Sequence, residues 1–148
     1  MGKIKTYSAR TISELEIKFT DLNNLFVFLN MEPIYKNRVW VIVDAGDKEK
    51  EVIDKLKRTY IDSGWREGNF SQFNEHDFER YYPEVFREKF DEILTLESSM
   101  ERLGKKKELR EEVENWIEAD IDRAKQGFKI SAKEVIDKLK EIEAELSS

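Results

Sequence analysis

Val39-Trp40-Val41-Ile42-Val43-Asp44-Ala45-Gly46-Asp47 decides how the rest of the chain is read. From Val39 to Val43 every residue is β-branched or aromatic and none follows helical spacing, which predicts a strand buried on both faces. The run stops abruptly in two carboxylates around an Ala-Gly step. Lys50 to Lys57 then sets Val52, Ile53 and Leu56 at helical spacing. The order is strand, acidic turn, helix, and the carboxyl ends of strands are where open α/β sheets collect ligands. Two carboxylates there suit a hard divalent cation with oxygen ligands, Mg2+ or Mn2+. The plainer reading makes the acid a helix cap and Gly46 the turn residue. Both readings stay open on this segment alone.

With 148 residues the chain is long enough for a genuine core. Charged residues make up 39% and the net charge is −6. An acidic surface binds nucleic acid poorly by itself, because that affinity comes from neutralising phosphates. Metal ions or a basic partner would have to compensate. The chain has no cysteine, which excludes disulfides, zinc–thiolate sites and cysteine nucleophiles together. No apolar run reaches membrane-spanning length and no signal-peptide core is visible, so no membrane partner is expected and the expected location is cytoplasmic.

Composition changes near Pro83. Residues 1–83 carry 13 basic and 14 acidic side chains, whereas 84–148 carry 13 and 18 with no proline. The first part is expected to form the α/β core. It has a candidate strand at Lys3–Tyr7, a helix over 11–30 opened by a capping box at Thr11-Ile-Ser-Glu14, and the strand at 39–43. A helix over about 48–62, closed by Ser63-Gly64, and a short strand near Asn69–Phe73 complete it. The second part predicts three amphipathic helices. Phe86 to Leu103 ends at Gly104, Leu109 to Ala124 ends near Gly127, and a third follows the Ser131-Ala-Lys-Glu134 capping box. Trp116 with Ile117, and Phe86 with Phe90, are the expected deep anchors. KEVIDKLK occurs at both 50–57 and 133–140, but the flanks differ, so no repeat architecture is assigned.

Residues 74–83, Asn-Glu-His76-Asp77-Phe78-Glu79-Arg80-Tyr81-Tyr82-Pro83, hold the only histidine among acids and aromatics. The aromatics are expected to anchor the segment, with Asp77 capping a short helix and His76 on the surface. The functional alternative turns Asp77 or Glu79 toward the strand ends to join Asp44 and Asp47.

The succession VWVIVDAGDKEKEVIDKLK, a short strand, then HDFERYYP resembles the second half of a TOPRIM domain, of the kind found in OLD-family nucleases, where it follows an ABC-type ATPase. The helical ending from Lys105 also looks like the tail of such proteins. The resemblance covers roughly residues 1–83 and extends less specifically to the end. It implies a small, mainly parallel α/β sheet with flanking helices and a helical tail over 84–148. It also implies an acidic pair at the end of the third strand that acts with a glutamate on the first strand. Asp44 and Asp47 match the pair, although the family's Asp-x-Asp is one residue shorter than Asp44-Ala-Gly-Asp47. No segment before Lys3 supplies the first strand, so the chain is expected to be a fragment of a larger protein or a degenerate domain.

The resemblance therefore implies divalent-metal-dependent endonuclease chemistry on DNA. Asp44 would be the principal ligand and catalytic carboxylate, Asp47 the second, and Glu79 or Asp77 candidates for a second ion. An N-terminal ATPase domain or subunit is the implied partner, and the apolar stripes of the tail by themselves allow a homodimer through it. The competing class is a noncatalytic interaction module with a degenerate core. A Walker B strand is set aside because no G-x-x-x-x-G-K-[ST] accompanies it, and a Rossmann site because Ala45-Gly46 is not a glycine-rich turn.

Overall fold

The computed structural model describes residues 4–6 and 11–147. Its contacts divide the chain into two compact units, one ending at His76 and the other running from Asp77. The break lies just ahead of Pro83 because Asp77 to Tyr82 hydrogen-bonds with the later helices, as shown below.

In the first unit, α1 (Ile12–Phe28) is followed by the single turn α2 (Glu32–Tyr35), β1 (Val41–Val43), α3 (Asp47–Tyr60) and β2 (Phe70–Gln72). β1 and β2 pair in parallel, with Val41 opposite Phe70, Ile42 opposite Ser71 and Val43 opposite Gln72. Parallel neighbours need a crossover, and α3 supplies it. The expected strand over 39–43 thus shortens to three residues. Its two-sided burial is also not reached, since Val41 is buried while Ile42 and Val43 are only partly so. A two-stranded sheet has one well-covered face here. On it Val41 and Phe70 meet Phe19 and Phe26 of α1 and Ile53, Leu56 and Tyr60 of α3, with Trp65 beside them. Phe19 stands edge-on to Tyr60, Trp65 and Phe70 at centroid distances of 4.9, 5.0 and 5.3 Å. Such pairs add to the burial of the rings themselves.

Local signals explain the boundaries. Gly64 closes α3 with φ of +91°, a left-handed conformation that favours glycine, and Trp65 N donates back to Tyr60 O. Asn69, 1% exposed, donates to Val39 O at 3.0 Å and accepts from Arg66 N at 3.0 Å. It pins the approach to β1 against the turn before β2. The Thr11 box is not formed: Thr11 occupies the cap position of α1, but its hydroxyl meets Ser13 rather than a backbone N–H. Residues 4–6 are described without strand structure, and the remainder of the Lys3–Tyr7 expectation lies outside the described residues.

The second unit is helical: α4 (Arg87–Leu94), α5 (Ser99–Ala119), α6 (Ile121–Ser131) and α7 (Lys133–Ser147). The helix boundaries expected at Gly104 and Gly127 are corrected, because both glycines lie inside helices. The true breaks are Ser98 and Asp120, whose side chains accept from Glu101 N and Arg123 N. An N-cap that satisfies orphan donors stops one helix and starts the next more firmly than an interior glycine does. The Ser131 box is likewise absent. Ser131 ends α6, and its hydroxyl donates to Tyr81 O at 2.9 Å and Gly127 O at 3.2 Å. Glu134 takes the Tyr81 hydroxyl instead. Phe86, Phe90, Ile93, Leu109 and Val113 make the core. Phe90 is 1% exposed, as expected for an anchor, but Trp116 and Ile117 are only partly buried. Met100 and Leu103, assigned from spacing to a packed face, are 84% and 71% exposed.

The fold is α/β: a small parallel sheet with flanking helices, followed by a helical C-terminal tail.

Candidate functional site

β1 delivers its chain end-on into Asp44-Ala45-Gly46, and α3 begins at Asp47. The turn is clamped from the β2 side. Phe73 N donates to Val43 O at 2.8 Å and Ala45 N to Glu75 O at 2.8 Å. Gln72 Nε2 donates to both Asp44 O and Gly46 O at 3.2 Å. These bonds continue the parallel pairing past the last ladder residue, so the acidic turn is held by a cross-strand amide rather than left as a free loop. Asp44 is half-buried at the carboxyl end of β1, and Asp47 is exposed in the first turn of α3. The expected aspartate cap is not formed; Asp47 instead lies in the first helical turn, where the helix dipole favours an acid. The cap residue itself is Gly46, without a side-chain cap bond.

A third acid was missed in the sequence. Glu49, also in the first turn of α3, folds its carboxylate back over Gly46, into the space a Cβ there would need. Its position three residues after the cap was the available signal, since a glutamate there commonly reaches back toward the cap backbone. Gly46 is extended (φ 178°), so space rather than backbone strain favours glycine at this position.

Asp77 and Glu79 belong to the second unit, where Lys106 of α5 meets both. Its Nζ hydrogen-bonds Asp77 Oδ1 and lies 3.4 Å from Glu79 Oε2. Asp77 does precede the short 3-10 turn Phe78–Tyr81, but its carboxylate goes to Lys106 and makes no cap bond. Burial alone would lower the Lys106 pKa. The Asp77 hydrogen bond and the charges of Glu79 and Asp77 outweigh it and hold the pKa above the ordinary lysine value. The same ammonium lies 5.5 Å from the Phe90 ring centre, and the Arg80 guanidinium 5.0 Å. An ammonium therefore already supplies the positive charge these two acids require. Of the nearby aromatics Tyr81 is buried, Tyr82 partly buried and Phe78 exposed, while His76 is exposed.

Asp44 and Asp47 are oxygen donors of the type that Mg2+ or Mn2+ takes, and two carboxylates would leave most of such a shell to water. No group of three or more His, Asp or Glu side chains among the described residues is placed to hold a metal ion. Asp77 and Glu79 are both engaged by Lys106. No helix among the described residues is long and apolar enough to cross a membrane. Comparison with protein-family models, with curated proteins and with solved structures returns no match for this chain.

Proposed function

We propose that the first unit is an incomplete TOPRIM-like half-site, which contributes Asp44 and Asp47 to a divalent-metal centre of an OLD-type endonuclease acting on DNA. The observation that supports this reading is the clamped acidic turn between the end of β1 and the start of α3, with Gln72 fixing its backbone. In such a centre the metal would activate water and offset charge on the leaving oxygen. This chain's residues have simpler tasks. Asp44 presents a carboxylate from a rigid strand end, Asp47 a second from the first helical turn, and Gln72 keeps the two in register. Two carboxylates alone predict weak binding, and a net charge of −6 predicts weak DNA affinity. DNA would be held elsewhere in a larger assembly, with an ATPase domain or subunit as the partner the resemblance implies.

Titration calorimetry with Mn2+ and a nuclease assay test this together. The expected result is Mn2+ binding that Asp44→Asn abolishes, with little or no DNA cleavage by the 148 residues alone. Unchanged Mn2+ binding in both Asp44→Asn and Asp47→Asn would rule the half-site out.

A second reading, the noncatalytic interaction module, draws on α1. This helix is apolar on more than its packed stripe, leaving Phe28 84%, Val27 53% and Leu25 50% exposed. Sedimentation of Phe28→Glu against the parent chain checks whether that side forms a homodimer.

A further inference from the structure

Within the second unit, α5, α6 and α7 enclose an open groove of about 400 Å³ that the proposed metal chemistry does not use. Ile117, Ile121, Ala124, Phe128 and Ile136 form its apolar floor, and Lys125, Lys129 and Lys140 stand around it. Ile121 is 57% exposed at the start of α6, one turn before buried Ala124. Of the acids on α6 and α7, Asp122 pairs with the groove's own Lys125, Asp137 with Lys133 and Glu141 with Lys138, while the charge of Lys140 also acts on Asp137. None of the ion pairs among the described residues uses Lys129 or Lys140. A chain of net charge −6 has thus placed three lysines around one apolar concavity.

We propose that this groove docks an amphipathic helix of a partner protein whose apolar stripe is flanked by glutamate or aspartate. The floor takes anchors at i, i+3, i+4 and i+7, as in helix-in-groove recognition. The lysines meet the flanking acids, which fixes partner choice more than raw affinity. The openness of the groove favours a helix over a small amphiphile, because small-ligand pockets bury most of the ligand's surface.

The probes are two blocked helical peptides of about 14 residues. Both carry leucine at the anchor spacing, one with glutamate and the other with lysine on the flanks. Fluorescence anisotropy should show the acidic peptide binding at least about tenfold more tightly. That preference should shrink as salt rises. Backbone NMR shifts should map to residues 117–140. Ile121→Glu, at an exposed position that leaves the core intact, should weaken binding, as should the combined Lys125→Glu, Lys129→Glu and Lys140→Glu change. Equal binding of the two peptides, shifts outside 117–140, or no binding of the acidic peptide would overturn the proposal. Displacement of the acidic peptide by dodecanoate at comparable concentration would also overturn it, assigning the groove to small amphiphiles.

Discussion

Lys106 shows how much depends on one side chain in the second unit. It holds Asp77 and Glu79 while lying near Phe90, so Lys106→Met leaves two acids facing each other. The groups are partly exposed, and the expected destabilisation is about 1 kcal/mol or less. The pH dependence is more specific. Tyr82 is also raised above its ordinary value, by burial first and then by the charge of Glu79. Two groups whose folded pKa values lie above their ordinary 10.5 and 10.0 contribute stability that is complete below those values. That contribution is lost as pH rises through the folded values. Thermal melts of the parent chain should therefore decline as pH rises through the alkaline range, and Lys106→Met should lessen that decline. In the first unit, Asn69→Ala removes the partner of Val39 O, and a loss of about 1–3 kcal/mol in urea unfolding is expected.

Helix elements carry the clearest contrast between spacing and packing. Gly104 and Gly127 both lie inside helices, yet opposite outcomes are expected on substitution. A Cβ at Gly104 meets nothing within 4 Å, so Gly104→Ala should stabilise α5 by about 1 kcal/mol. A Cβ at Gly127 would come within 3.2 Å of Pro83 Cβ and Trp116 Cη2, so Gly127→Ala should gain little or destabilise. Paired melts of the two variants check this directly. Phe90→Ala, at a fully buried site, should cost about 3–5 kcal/mol. Trp116→Ala should cost less, because its ring is partly exposed between Phe86 and the Arg123 guanidinium.

These elements also mark what the sequence makes legible. β1, α3 and Gly64 follow from a β-branched run, a helical stripe and a turn glycine between Val39 and Gly64, and the parallel pairing from the order strand, helix, strand. All of these are local signals, and the acidic turn was legible for the same reason. The helix breaks at Ser98 and Asp120 were not, because one serine or aspartate among many polar residues gives no periodicity signal, whereas glycines stand out. Lys106 was not legible either. It lies 27 residues from Glu79, and only the tertiary fold brings an α5 lysine to that turn. Glu49 was within reach of the capping pattern, three residues after Gly46.

At the scale of the whole molecule, the chain combines a small α/β unit with a helical unit, and its excess acid disfavours autonomous DNA binding. Electrophoretic shift assays should show no complex with linear duplex DNA at moderate salt, with or without Mg2+. The clamped turn from Asp44 to Asp47 is the proposed divalent-metal half-site. Paramagnetic broadening of backbone NMR signals by substoichiometric Mn2+ tests it most directly. Selective loss of signals from residues 44–49 and from 72–75 across the clamp is the expected result, abolished in Asp44→Asn. Broadening centred on Asp77 and Glu79, or spread evenly over the acidic surface, would contradict it.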